Sequence, residues 1–526
     1  MAFLRDATPL SPAHRNLCQK VHWVARVFPE TRSKQTSFAR NPRTYERKDK
    51  MNHAETQSTE GALQPETAAA MPSRRGFLAA SALLGAMLLS PLWAVAASPA
   101  TAPASVATAE KAVGVGLPQR VTLTCAADMA HAISATWRSA GPLQSAQGQI
   151  APLTAGPKFE ATIQSVPAEA FTIETDSGET AYQYNLTFTG LTPDAQYCFR
   201  VGDGQSWSEW NTVQTALDKP KPFSFLYFGD VQTDIRSQCS RAVRTAFRHA
   251  PDARFVICAG DLVNHGHNDS QWGEFSDAFG FIAATVPCLP TPGNHDTKRP
   301  EKAPEPEAPY TAAPAYHAHF HVPANGPKNA PILNGEAYYV DCQGVRVISL
   351  NSNVFDDDAP TDAAHKQAWD ALLAWLEEVL ANNPNRWTVV THHHPIYSTS
   401  KGRDNAGLRN LLRPLYDKYK VDLVLQGHDH SYGRTHKLAG DQIVDPAAPG
   451  TIYVVSVLGP KMYPFKPKFE SLMAATASEK QLFQVIEVDG DTLSYKSRSI
   501  DGQLVDAFQL KKDASGASTY HPAEKT

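Results

Sequence analysis

Five apolar segments of this chain each end at side chains of the kinds that bind metal ions. Each segment is short and is followed directly by polar residues, which is typical of buried strands that end at a functional edge. Helical segments such as AAHKQAWDALLAWLEEVL separate them. This order predicts an α/β fold that brings five strand ends to one edge of a sheet. The five segments are FSFLYFGD, RFVICAGD, PCLPTPGNHD, RWTVVTHHHP and VDLVLQGHDH.

The last of these segments places His428 and His430 on either side of one aspartate. Alternate residues of an extended chain point to the same face, so the two imidazoles can converge on one point. A single pair of this kind is weak evidence, because histidines in polar loops usually face water. The other four segments supply carboxylate, amide and imidazole partners, so the set as a whole predicts a metal site.

The order of the blocks resembles that of the calcineurin-like metallophosphoesterases, which carry D-x-[HQ], GD, GNHD, H-x-P and GHxH in sequence. A neighbouring β-rich segment, the stretch GTIYVVSVLGPKMY and the tyrosine after GHDH narrow the resemblance to the purple acid phosphatase-like branch, over residues 117 to about 510. The resemblance implies a two-sheet β-sandwich core flanked by helices, preceded by an all-β fibronectin-like or Ig-like sandwich. It also implies hydrolysis of phosphate monoesters by a hydroxide shared between two metal ions.

The resemblance assigns a ligand to each block. Asp261 is implied as the bridging carboxylate, and His295 as the catalytic residue that stabilises or protonates the leaving group. The mixture of ligand types suits iron paired with zinc, manganese or a second iron. The implied ligands are Asp230, Gln232 and His430 for the first metal and Asn294, His393 and His428 for the second.

One position departs from the family. Purple acid phosphatases carry a tyrosine ligand three residues after the GD aspartate, whereas this chain has Asn264 there. We expect the amide oxygen of Gln232 to take the vacated coordination position; the alternative is a hydrogen bond from Gln232 to a metal-bound water. Asn264, His394 and Arg403 are expected to contact the ligands or the substrate. For Arg403, a salt bridge at a helix start is equally consistent with the sequence.

The N-terminal region resembles a twin-arginine export signal. Arg74 and Arg75 match S-R-R-x-F-L and precede a short apolar stretch that ends in an A-x-A triplet, so we expect cleavage after Ala96. A membrane anchor is the alternative, but the stretch is short and contains Gly and Pro. We therefore expect the twin-arginine machinery as an export partner, a periplasmic or secreted protein, and no permanent membrane anchor.

Composition and patterning divide the chain further. Residues 1–96 are expected to be an extension plus signal, 97–116 a linker, 117–217 the β-sandwich, 221–510 the catalytic domain and 511–526 a polar tail. In the sandwich, LTPDAQY resembles a fibronectin-like corner in which Leu191 and Tyr197 pack. Its Trp207 and Trp210 are expected to pack on strands rather than to form a ligand platform.

Charge and cysteine spacing exclude several kinds of partner and site. Without residues 1–96 the formal net charge is about −10, which disfavours nucleic-acid binding because that depends on cationic neutralisation of phosphates. No C-x-x-C spacing occurs, so a zinc ribbon or a thioredoxin-like site is not expected. The molecule that we expect this protein to bind is a small phosphorylated substrate. Two alternatives remain open: a phosphodiesterase on the same metal core, and a non-catalytic exported binding protein.

Overall fold

The computed structural model describes residues 116–297, 309–356 and 359–523. The predicted export signal and nearly all of the predicted linker lie outside these residues. Within the described part of the chain, no helix combines the length and the apolar character needed to cross a bilayer. The six cysteines of this part are buried free thiols, and the Sγ atoms of Cys258 and Cys288 lie 3.8 Å apart.

An all-β sandwich forms the N-terminal part of the described chain. Buried and more exposed residues alternate along much of the strand TAYQYNLTF, and its buried face packs into a core around Trp137, Tyr184 and Phe199. At the predicted corner, the amide of Thr192 donates to the hydroxyl oxygen of Tyr197 at 2.8 Å. The strands are β1 (Gln119–Thr124), β2 (Ile133–Ser139), β3 (Gln147–Pro152), β4 (Gln164–Pro167), β5 (Glu169–Glu174), β6 (Thr180–Phe188), β7 (Gln196–Gly202) and β8 (Asn211–Gln214).

The C-terminal part is α/β. Its strands are β9 (Phe223–Phe228), β10 (Val256–Ala259), β11 (Cys288–Thr291), β12 (Tyr338–Cys342), β13 (Val345–Leu350), β14 (Trp387–His392), β15 (Leu423–Gln426), β16 (Tyr432–Thr435), β17 (Leu438–Ala439), β18 (Gln442–Ile443), β19 (Ile452–Val455), β20 (Met473–Ala477), β21 (Leu482–Asp489), β22 (Thr492–Ser499), β23 (Leu504–Lys512) and β24 (Ser518–Pro522). Its α-helices are α1 (Ser240–His249), α2 (Asp269–Phe279), α3 (Pro314–His319), α4 (Ala363–Ala381) and α5 (Ala406–Tyr419). Strand β24 pairs with β23 inside the stretch predicted as a polar tail, where Tyr520 packs against the core.

Two stacked sheets position the five polar blocks. Strands β9, β10 and β11 run parallel in the first sheet, and β13, β14, β15 and β19 run parallel in the second. The core between them includes Phe225 and Ile257 from one sheet and Val389 and Leu425 from the other. The two-sheet core is therefore confirmed, whereas the expectation that all five blocks share one sheet edge is wrong. Strand pairing over long sequence distances is not visible in local periodicity.

Helices cover the outer faces of both sheets. Helices α1 and α2 pack with β9 in one apolar cluster, and α4 buries Trp369, Leu372 and Leu376 against the second sheet, as their spacing predicts. The alternating segment HAHFH favours a strand, but the structure shows that it begins in helix α3. Pro314 starts this helix at a position where its missing N–H costs nothing, and His319 is buried against Trp272.

The sandwich and the α/β part share one sheet. Strand β1 pairs in parallel with β11 at Thr124 and Cys288, so the first sheet extends over 11 strands from β24 to β5. Across this junction Arg120 and Arg138 both donate to Asp269 at the start of α2, at 2.8 Å each. The boundaries 117–217 and 221–510 remain predictions, since the junction is continuous in the structure.

Candidate metal centre

Each polar block begins just beyond a strand end, where the backbone turns sharply. Asp230, Asp261, His428 and His430 all have positive φ angles, between 25° and 77°. Such conformations are unfavourable for residues other than glycine, and they cluster at functional sites where the surrounding fold maintains them. A side chain at Gly293 would also be impossible, since its Cβ would lie 2.2 Å from the amide nitrogen of Asp261.

These turns bring the side chains into two groups that share Asp261. The first group contains Asp230, Asp261 and His430, and the second group contains Asp261, His393 and His428. In each group the potential ligand atoms lie within 4.8 Å of one another. Five of the predicted ligands, including Asp261 itself, belong to these two groups. Each group offers oxygen and nitrogen atoms that could hold a metal ion.

The second group surrounds the Nε2 atom of His393. This nitrogen lies 3.2 Å from Oδ1 of Asp261, 3.1 Å from Oδ1 of Asn294 and 3.1 Å from Nδ1 of His428. The Nδ1 atom of His393 donates to the carbonyl of Ala259 at 3.0 Å, which leaves the Nε2 lone pair for the site. The structure therefore brings all three predicted ligands of the second metal together with Asp261.

In the first group, Asp230 is fully buried. Its Oδ2 atom accepts the backbone amide of His428 at 2.6 Å, while Oδ1 is buried and has no hydrogen-bond partner within the described residues. The Nε2 atom of His430 lies 3.7 Å from that oxygen, and its Nδ1 donates to the carbonyl of Lys461. Because an unpaired buried carboxylate oxygen is costly, this arrangement fits a bound cation.

Burial and neighbouring charges shift the pKa values of the side chains in the site. Burial raises the pKa of Asp230 well above its usual value, and the nearby charge of Asp261 adds to this effect. Burial alone would lower the pKa of His393, but the carboxylates of Asp261 and Asp230 raise it to about 9. Burial lowers the pKa of His430 to about 4. A metal ion bound between Asp230 and Asp261 would supply the positive charge that stabilises both carboxylates in their ionised forms.

His295, the predicted catalytic residue, lies beside the shared carboxylate of Asp261. The backbone amide of His295 donates to Oδ1 of Asp261 at 2.9 Å. Its ring nitrogen Nδ1 donates to the carbonyl of Asn264 at 2.7 Å, which leaves Nε2 as the nitrogen that can exchange a proton with a substrate. The ring is half-buried at the site.

Comparisons with known proteins agree with this geometry. Residues 223–432 match the calcineurin-like phosphoesterase family, and residues 118–215 match the purple acid phosphatase N-terminal domain. The chain contains a calcineurin-like phosphoesterase domain preceded by a purple acid phosphatase N-terminal domain. Both parts of the predicted resemblance are thereby confirmed.

Individual relatives of this chain are distant in sequence. An uncharacterized protein of Mycobacterium tuberculosis is 30% identical over 286 residues, which covers 50% of this chain and 52% of that protein. The acid phosphatase type 7 of Mus musculus is 26% identical over 374 residues, covering 65% of this chain and 79% of the mouse protein. The structure of a purple acid phosphatase from yellow lupin seeds has a TM-score of 0.62 at 20% identity, covering 76% of this chain and 75% of the lupin chain. The chain thus spans about half the length of the mycobacterial relative.

Gln232 lies at the edge of the candidate metal centre. Its Nε2 atom donates to Oδ1 of Asn264 at 3.0 Å, and its Oε1 atom accepts from the ammonium of Lys461 at 3.3 Å. The side chain that stands in place of the family tyrosine therefore orients Gln232. Coordination of a metal by the Gln232 oxygen remains a prediction, and Lys461 competes for that oxygen.

The other two predicted contacts, Arg403 and His394, both lie beside His428. The guanidinium of Arg403 donates to the carbonyl of His428 at 2.9 Å and to Oδ1 of Asp429 at 2.8 Å. The ring of His394 lies 4.4 Å from that of His428 and lines a cavity of about 240 Å³ with Asp356. Arg403 thus makes a salt bridge, although to Asp429 in the histidine block rather than to a helix start.

Three further residues of the site carry no predicted role. Asp429 is buried and accepts hydrogen bonds from Ser398, Thr399 and Arg403. The carboxylate of Asp296 accepts the amides of residues 262, 263 and 293, which ties the GD block to the GNHD block. Asp429 and Asp296 lie inside the polar blocks, so the sequence could have placed them in the site. Lys461 lies in the stretch GTIYVVSVLGPKMY that contributes to the resemblance, but the stretch assigns no role to this lysine.

Proposed function

We propose that this protein is an exported, metal-dependent phosphoesterase that hydrolyses phosphate monoesters. The observation that supports the proposal best is the pair of ligand groups that share Asp261. A shared carboxylate places two cations close enough to act on one phosphate group. The family match and the confirmed fold support the reaction class. A small phosphorylated substrate is part of the proposal.

The ligands and His295 would have different roles in this reaction. Two bound cations would neutralise phosphate oxygens and activate a water molecule for attack on phosphorus. Asp261 would hold both cations, and the remaining carboxylate and imidazoles would hold them individually. In its doubly protonated imidazolium form, His295 would give the Nε2 proton to the oxygen of the departing alcohol as the phosphorus–oxygen bond breaks, and its Nδ1–H would stay bonded to Asn264. Its Nδ1 hydrogen bond to Asn264 fixes the ring for that transfer.

The ligand types suit iron paired with zinc, manganese or a second iron. Because Asn264 supplies no phenolate, the first site would stabilise trivalent iron less than a tyrosine ligand does. A divalent ion or an easily reduced iron is therefore the proposed occupant of that site. Export through the twin-arginine machinery remains part of the proposal and is supported by Arg74, Arg75 and the A-x-A triplet.

Metal content and activity measured together test the proposal. The purified protein would be analysed by elemental mass spectrometry and then reloaded, after chelation, with iron, zinc or manganese. We expect close to two metal ions per chain and hydrolysis of p-nitrophenyl phosphate that disappears on chelation and returns on reloading. A protein that binds no metal tightly, or that stays inactive on both monoesters and diesters in every metal form, would contradict the proposal and favour a non-catalytic binding protein.

A further inference from the structure

A loop after strand β19 fixes Lys461 beside the candidate metal centre. The carbonyl oxygen of Lys461 accepts a hydrogen bond from Nδ1 of His430 at 2.9 Å. Two residues later, the amide of Tyr463 donates to the carbonyl of His430 at 3.0 Å, and the two rings lie 4.7 Å apart. Both bonds tie the loop to a candidate ligand, so the position of Lys461 is set by the site itself.

The ammonium of Lys461 has no anionic partner within the described part of the chain. Its hydrogen-bond acceptor is Oε1 of Gln232, a neutral amide, at 3.3 Å, and it lies 5.6 Å from the ring centre of Tyr463. Arg403, by contrast, is neutralised by the buried carboxylate of Asp429 at 2.8 Å. Lys461 is half-buried. A partly buried cation without a counter-ion next to a phosphate site is poised to bind an anion.

The charge of the substrate indicates which anion fits. A phosphate monoester at neutral pH carries nearly two negative charges on three non-bridging oxygens. A diester carries one charge on two such oxygens, because its second ester bond removes an ionisable oxygen. Two cations can each bind one oxygen, and the third oxygen is then present only in the monoester. A protein cation facing that oxygen favours monoesters over diesters.

We propose that Lys461 is a specificity-determining residue that binds the third non-bridging oxygen of a phosphate monoester. This inference rests on the proposed function and deepens it, since it supplies a reason for monoester preference. The ammonium lies against Gln232, which follows Asp230 by two residues, and so approaches the site from the side of the first ligand group. A competing role is purely structural: Lys461 would then only hold the Gln232 amide in place.

Two variants separate these roles. Lys461→Met removes the charge and keeps a flexible apolar side chain, while Lys466→Met removes an exposed lysine of the same loop as the matched control. Each metal-reloaded protein would be assayed on p-nitrophenyl phosphate and on bis(p-nitrophenyl) phosphate. Metal content and orthophosphate binding by calorimetry would be measured in parallel. These two readouts do not depend on turnover.

We expect Lys461→Met to lower the ratio of monoester to diester kcat/KM by about 10- to 100-fold, the loss typical of a charge-assisted hydrogen bond. Orthophosphate binding should weaken by a similar factor at unchanged metal content. Lys466→Met should match the wild type. A ratio in Lys461→Met equal to that of the wild type, or a parallel loss of metal and of both activities, would overturn the inference. An inactive wild type would instead overturn the proposed function, and the inference with it.

Discussion

The Nε2 atom of His393 lies 3.2 Å from Oδ1 of Asp261, and that carboxylate belongs to both ligand groups. No other residue of the described chain occurs in both groups. Asp261 is therefore the residue on which the binding of two adjacent metal ions would depend.

Asp261→Ala should lose metal and turnover together. The substitution removes the shared ligand and leaves Asp230 and the imidazoles to bind each ion alone. We expect metal content to fall below one ion per chain and kcat to fall by at least about 10³-fold, as for removal of a group that supports both nucleophile and charge stabilisation. Elemental analysis and assays after controlled reloading would measure both. Full activity in this variant would rule out a bridging role.

His295→Ala should separate metal binding from chemistry. The amide of residue 295 that donates to Asp261 is retained in alanine, and the neighbouring Asn294 is the expected ligand. We therefore expect two metal ions per chain but a kcat lower by about 10²- to 10⁴-fold, the range for a positioned acid or base. A substrate with a good leaving group should recover part of the loss, because it needs less protonation. An equal loss of metal would show that His295 acts structurally.

Asp429→Ala should loosen the loop that faces the histidine block. The buried carboxylate accepts hydrogen bonds from Ser398 at 2.7 Å, from the amide of Thr399 at 2.6 Å and from Arg403 at 2.8 Å. Its loss leaves a partly buried guanidinium unpaired, so the free energy of unfolding should fall by about 2–4 kcal/mol. Urea denaturation would measure this. Ser398→Ala is the control and should cost about 1 kcal/mol; a cost equal to that of the control would show that the charge pair contributes nothing.

The order of the polar blocks predicted most of the candidate site. Strand ends and the residues after them are local features, so Asp230, Asp261 and His428 could be placed from sequence blocks alone. The assignment of β14 and β15 to a second sheet could not be predicted, because pairing depends on contacts between distant segments. The alternation in HAHFH predicts a strand, whereas the segment begins in helix α3. The prediction is wrong because Pro314, which starts the helix, lies outside the alternating pattern.

Contacts made by single residues far apart in the sequence are harder to predict. Lys461 is the clearest case, since its proximity to Gln232 depends on a loop that returns to the site 229 positions later in the chain. No local periodicity encodes such a return. The sandwich was predicted as a separate domain because its strands alternate regularly, while its continuation into the first sheet through Thr124 and Cys288 depends on one parallel pairing.

The export prediction concerns residues outside the described part of the chain. Replacing Arg74 and Arg75 together by lysine keeps the charge but removes the twin-arginine pair. We expect precursor to accumulate in the cytoplasm, measured by cell fractionation and immunoblotting. Lys48→Arg, upstream of the signal, is the control and should be exported normally. Undiminished periplasmic delivery of the double variant would reject the twin-arginine assignment.

The iron-loaded protein is expected to differ in colour from purple acid phosphatases. Purple acid phosphatases owe their visible absorption to a tyrosine phenolate on ferric iron, and Asn264 occupies that position here. The iron-loaded protein should therefore lack an intense visible band. Gln232→Ala should retain less metal at the first site if the amide oxygen is a ligand, and the same metal content as the wild type if Gln232 only bonds to Lys461 or water.

Tyr463 provides the decisive control for this prediction, because its ring lies 4.7 Å from the ring of His430. An intense band in the iron-loaded wild type that disappears in Tyr463→Phe would show that this tyrosine reaches the first metal. The phenolate would then come from the loop that carries Lys461 rather than from the residue after the GD block. Absence of the band in both proteins, with metal content intact, is the expected result. The first site would then be built from Asp230, Asp261 and His430 without a phenolate.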